Sequence, residues 1–331
     1  MNFINYILRT KGCPAIPIMI HPGIEAIGKT VKDAVTDGKT HYEAVKYLAD
    51  LYDSAACTTI MDLTVEAEAF GARVMIPEDE IPSVAGAIVH DEASVNALEI
   101  PDMTKGRIPQ YLLANRLAAE NIQKPVLSGC IGPYSLAGRL YDMTEIMIAI
   151  YIDPETILKL LDKCTRFLIR YCRELKNTGT AGVIIAEPAA GLLSNDDCMT
   201  YSTYFVRQIV DAVQDDGFAV ILHNCGNTGH ATQAMIESKA CGLHFGNKIN
   251  MTDVLKECPS DVAVMGNLDP VGIFKHGTGQ EVRIATKKML ADTRGYDNFV
   301  ISSGCDLPPH VSQENLLAFF EEVKIFNEQN K

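Results

Sequence analysis

Short runs of apolar, largely β-branched residues recur along the chain, separated by longer stretches with helical spacing of their apolar positions. Eight stand out: Ala15 to Ile20, Ala55 to Met61, Pro125 to Ser128, Gly182 to Ala186, Phe218 to Leu222, Cys241 to Phe245, Val262 to Met265 and Phe299 to Ser302. Strands that alternate with helices form a parallel sheet, and eight repeats predict closure into an α/β (β/α)8 TIM barrel, with residues 1–331 as one domain. An open doubly wound sheet is the competing fold, but no phosphate-binding glycine fingerprint follows the first run. The clearest helix is expected from Pro154 to about Lys176. Asp153 is its N-cap, Pro154 its first residue, and Ile157, Leu158, Leu161, Leu168, Tyr171 and Leu175 its buried face. After the second strand, Glu66 to about Pro109 is too long for a barrel loop. It reads as an inserted excursion with a small hairpin, Ala72 to Ile76 and Ala85 to Val89 flanking the acidic turn Pro77 to Pro82.

In a barrel all strand exits face one mouth, where the active site lies. His21, Asp62, Cys130, Glu187, His223, Cys225, Asn247, Asn267, Asp269 and Cys305 stand at those exits and are expected to ring one cavity. Several have simpler readings: His21, before Pro22, as a loop cap, Asp62 as a helix cap, and Asp269, before Pro270, as a turn residue.

The sharpest chemistry is His223-Asn224-Cys225-Gly226-Asn227, answered by Ser303-Gly304-Cys305-Asp306-Leu307-Pro308-Pro309. Side chains on a strand alternate, so His223 and Cys225 share a side while Asn224 points away. Cys305, at another strand exit, can complete the set. One imidazole and two thiolates suit a tetrahedral Zn²⁺, and three protein ligands leave a position open for chemistry. An H-x-C pair alone reads first as core, because buried cysteines behave as small hydrophobes. The position of both pieces at strand ends favours metal.

Composition narrows the rest. With 47% hydrophobic and 21% charged residues and no low-complexity tract, long disorder is excluded. A formal net charge of −13 without a basic cluster excludes a nucleic-acid footprint. Met1 to Gly12 lacks the continuous apolar stretch of a signal peptide, and no run approaches the roughly 20 apolar residues of a membrane span, so a cytoplasmic protein is expected. The ten cysteines are scattered over a large chain, which fits reduced thiols better than a disulfide framework.

Gly132-Pro133, Glu187-Pro188, His223-x-Cys225-Gly226, Gly266-Asn267-Leu268-Asp269-Pro270 and Gly304-Cys305-Asp306-Leu307-Pro308-Pro309 together resemble the uroporphyrinogen decarboxylase superfamily. They are most similar to its zinc-dependent corrinoid methyltransferase branch, which includes methylcobamide:coenzyme M methyltransferases. The resemblance implies Zn²⁺ on His223, Cys225 and Cys305, activating a small-molecule thiol such as coenzyme M. The thiolate then takes a methyl group from a methylcorrinoid, a co-substrate whose cobalt leaves with the bonding electrons. It makes Glu187 and Asp269 candidate catalytic residues, Glu187 filling the fourth zinc position or orienting a ligand from behind. His21 and Asn267 become candidate cofactor contacts, and Lys248 a weak candidate for a sulfonate.

No D-x-H-x-x-G pattern occurs and the barrel takes up nearly the whole chain, so the corrinoid is expected on a separate corrinoid protein. The motifs equally allow the opposite half-reaction, from a methylated substrate to the corrinoid protein. The decarboxylases bind a polycarboxylate with arginines near the first strand, whereas this chain has none between Arg9 and Arg73. Decarboxylation is therefore the weaker alternative, and a barrel kept only as a corrinoid-binding scaffold is the non-enzymatic one.

Overall fold

Nine strands occur among residues 2–329, which the computed structural model describes: β1 (Cys57–Thr58), β2 (Val74–Met75), β3 (Ser83–Val84), β4 (Val126–Ile131), β5 (Gly182–Ala186), β6 (Ala219–Asn224), β7 (Gly242–Phe245), β8 (Ala263–Leu268) and β9 (Phe299–Ser303). Seven of them form one curled parallel sheet in the order β1-β4-β5-β6-β7-β8-β9, and β2 and β3 form an antiparallel hairpin. Every residue of β4 to β9 is buried. Continuous burial is what a parallel sheet covered on both faces requires. On the inner face Ile16, Ile18, Leu127, Ile184, Ile221, Met265 and Val300 pack into one cluster with Phe3 and Ile7 of the helix Phe3–Arg9. That packing seals the end opposite the strand exits.

The expected first strand, Ala15 to Ile20, is not one. Only Ala15 bridges to Ile301, with Ile16 N–H donating to the Ile301 carbonyl (3.0 Å) and Ile301 N–H to that of Pro14 (3.0 Å). Pro14 and Pro17 have no N–H to continue a ladder. The Ser303 hydroxyl stands in for a backbone acceptor, taking the Ile18 N–H at 3.0 Å. On the other side Ala55 N–H donates to the Ala15 carbonyl (2.9 Å), so this segment joins the two edges of the sheet as a barrel strand would. The second expected strand shortens to β1.

The long helix is Pro154–Asn177, with the Asp153 side chain accepting from Thr156 N–H. Ile157, Leu161, Leu168, Tyr171 and Leu175 are buried in it as expected, but Leu158 lies off the stripe and is exposed. In the long connection after β1 the hairpin pairs Val74 with Val84, so its second arm comes earlier than Ala85 to Val89. Among the described residues no helix is long and apolar enough to cross a membrane.

Candidate metal centre

His223 and Asn224 end β6, and the side chain of Asn224 accepts from Gly226 N–H and Asn227 N–H, each at 3.0 Å. This turn holds Cys225 just past the strand. Gly246, past β7, lies so close that a Cβ there would stand 2.5 Å from the Cys225 carbonyl oxygen. Only glycine lets the two strand exits approach in this way. Cys305 follows β9, and the ligand atoms of His223, Cys225 and Cys305 lie within 4.8 Å of one another.

The imidazole is held in one tautomer by a relay. Ser302 donates its single proton to the Ile16 carbonyl (2.7 Å), so its oxygen accepts from His244 Nε2–H (2.9 Å). Burial pushes His244 well below the ordinary imidazole range, which keeps it neutral and leaves Nδ1 an acceptor. That acceptor lies 2.8 Å from His223 Nδ1, which therefore carries the proton. His223 Nε2 is left with a lone pair, buried and without a partner. Metal-ligating histidines are oriented by such a second hydrogen bond. Contact with Cys305 draws the Cys225 thiol down to about 4, and the same contact pushes Cys305 up. A set of one free imidazole lone pair and two facing sulfurs, with one thiol readily ionised, fits Zn²⁺.

The three residues line a cavity of about 160 Å³. Its walls are mostly apolar, with Val31, Val35, Ile60 and Leu63 joined by Ile81 and Pro82 of the hairpin loop. Among its polar residues His21 bonds the Leu307 carbonyl through Nδ1 (2.9 Å) and lies 3.6 Å from Asp306. Burial acts to lower the His21 pKa, but Asp306, the Leu307 carbonyl and Glu25 together outweigh it and the net direction is up. Asp62 is gripped by Arg107, Tyr111 and Thr64, and Arg107 also bonds Glu68 at 2.7 Å. Burial works against the Arg107 charge, and Asp62, Tyr111 and Glu68 together more than restore it.

Five of the ten expected residues, His21, Asp62, His223, Cys225 and Cys305, therefore meet in one cavity. The others do not line it. Cys130 packs its thiol against Cys172 at 3.9 Å. Glu187 is buried under the helix Pro133–Tyr141, accepting from Ser135 N–H (3.0 Å) and the Ser202 hydroxyl (2.7 Å), and burial pushes its carboxyl up to about 7. Its position leaves no room for a side chain at Gly132, where a Cβ would fall 2.1 Å from it. Asn247, Asn267 and Asp269 line a separate groove. Asn267 donates to the Gly246 and Ile249 carbonyls, and Asp269 accepts from Val271 and Gly272 N–H. Both side chains serve the backbone. Lys248 is exposed and also lies outside the cavity.

The profile of the family described as Uroporphyrinogen decarboxylase (URO-D) matches residues 10–326. The chain belongs to the uroporphyrinogen decarboxylase family. Within that family it is 27% identical over 268 residues to the Methylcobamide:CoM methyltransferase MtbA of Methanosarcina acetivorans, covering 80% of this chain and 77% of the relative. It is also 26% identical over 284 residues to the Uroporphyrinogen decarboxylase of Alcanivorax borkumensis, covering 82% and 79%. Overall identity thus does not separate the two activities. A methyltransferase from Methanosarcina mazei shares the fold, with a TM-score of 0.89 at 21% identity over 98% of both chains.

Sequence reasoning passed over four contributors to this site in the decarboxylase-family fold. His244 and Ser302 were signalled by polar side chains set among apolar strand neighbours, His244 in register with His223. Arg139 was signalled by a lone cation on an otherwise apolar helix, Pro133–Tyr141. Ile81, in a turn read as solvated, gave no signal, because only tertiary folding brings the hairpin over the mouth.

Proposed function

We propose that this chain is a zinc-dependent methyltransferase that moves a methyl group between a corrinoid carried by a separate protein and a small thiol. The observation that carries the reading is the buried, partnerless His223 Nε2 facing Cys225 and Cys305. His223, Cys225 and Cys305 would hold the ion; the chemistry zinc supplies in such a site is Lewis acidity, lowering the pKa of a thiol that joins it. The thiol releases its proton to solvent, and its sulfur forms a bond to the methyl carbon as the carbon–cobalt bond breaks, that electron pair staying on the corrinoid cobalt. Ser302 and His244 keep the imidazole oriented throughout, and Val31, Val35, Ile60 and Leu63 exclude water that would compete for the methyl group. The relatives named methylcobamide:CoM methyltransferase support this direction.

Decarboxylation of a polycarboxylate is poorly served by the same cavity, whose lining holds Arg139 as its one arginine, while Arg107 lies outside the lining and is taken up by Asp62. The test is an assay with methylcobalamin and a series of thiols, following loss of the methylcobalamin spectrum. Thiol-dependent demethylation that Cys305→Ser removes is expected. Absence of reaction with free and protein-bound methylcorrinoid alike would overturn the proposal.

A further inference from the structure

Arg139 stands on the second half of the helix Pro133–Tyr141 and lines the cavity that holds the His/Cys cluster. Among the described residues its guanidinium has neither a hydrogen bond nor an ion pair. The two carboxylates that influence it are otherwise placed. Asp62 bonds Arg107, Tyr111 and Thr64, and Glu66 accepts from Ile131 N–H through one oxygen while its other has no partner. Burial also lifts the Glu66 pKa to about 7, so it carries only part of a negative charge near neutral pH. A guanidinium cannot shed its proton, and desolvation already acts to lower its pKa here. The charge is thus drawn partly out of water and faces the cavity without a direct partner.

We propose that Arg139 anchors an anionic head group, a carboxylate or a sulfonate, on the small thiol whose sulfur reaches His223, Cys225 and Cys305. A guanidinium meets two oxyanion oxygens at once, which fixes orientation as well as charge. Of the lining carboxylates, Asp62 is held by Arg107 and Asp306 lies 3.6 Å from His21, which leaves Arg139 as the charged lining group with no ion pair of its own. The identity of the ligand as a thiol rests on the methyltransferase reading; its negative charge does not.

Calorimetric titration of the full-length, metal-loaded protein tests this with 2-mercaptoethanesulfonate, 3-mercaptopropionate, 2-mercaptoethanol and cysteamine, and with ethanesulfonate, which has no thiol. The anionic thiols should bind about 10- to 100-fold more tightly than 2-mercaptoethanol. The better of the two identifies the head group. In Arg139→Gln that ratio should collapse towards one, and Arg139→Lys should recover part of it. Ethanesulfonate should compete with the anionic thiol in the wild type and not in Arg139→Gln. Melting curves check that the variants remain folded. Equal affinity for anionic and neutral thiols in the wild type, or a ratio that survives Arg139→Gln, would overturn the anchor. Arg139-dependent anion selectivity without methyl transfer to any thiol would instead defeat the methyltransferase reading and leave the anchor standing.

Discussion

Glu66→Gln should flatten one part of the pH dependence of stability. Glu66 is buried in the helix Val65–Ala69, with Oε1 accepting from Ile131 N–H at 3.1 Å and Oε2 without a partner. Burial raises its pKa from 4.5 to about 7, against a smaller lowering by the Ile131 N–H. The folded state therefore holds the proton more tightly than the unfolded chain. The stability that this proton confers is complete below 4.5 and is lost as pH rises through 7. Glutamine keeps the shape and the acceptor but does not titrate. Wild type minus variant should accordingly fall by about 2 to 3 kcal/mol between pH 5 and pH 8, on the linkage relation. Urea unfolding at several pH values reads this difference directly, other titrating groups being common to both proteins. A difference that stays flat would mean that Glu66 is ionised and paired in the fold, and that burial does not govern it.

Asp62→Asn should destabilise the protein by about 3 kcal/mol at neutral pH, because it leaves the buried Arg107 only Glu68 as a counter-charge; a urea midpoint close to that of wild type would refute this. His244→Phe keeps a ring but removes the acceptor for His223 Nδ1 and the donor to Ser302. Zinc affinity, measured by competition with a chelator, should fall about 10- to 100-fold while the fold persists. Unchanged affinity would show that the relay does not orient the ligand.

The strand-helix alternation, β5 residue for residue, and the convergence of His223, Cys225 and Cys305 were legible because each rests on local periodicity or on the common direction of parallel strands. What was illegible depended on contacts distant in sequence. Nothing local says that Ser303 will take the Ile18 N–H and replace a strand, or that Asn267 and Asp269 will spend their side chains on neighbouring backbone. Of the five strand-exit side chains that miss the mouth, Cys130 and Glu187 follow the pleat: Leu127 and Ile184 face the inner cluster, so residues three positions on face the surrounding helices. Cys130 chose the Cys172 sulfur and Glu187 the Ser135 N–H.

The most direct test of the central claim is zinc content in the purified protein and in Cys225→Ala/Cys305→Ala, by elemental analysis with X-ray absorption at the zinc edge. The wild type should hold about one zinc per chain in a nitrogen-plus-two-sulfur shell, with one further sulfur appearing when the reactive thiol is added. The double variant should lose the metal and the activity while remaining folded. Zinc retained at the same stoichiometry without both cysteines would place the site elsewhere and contradict the account.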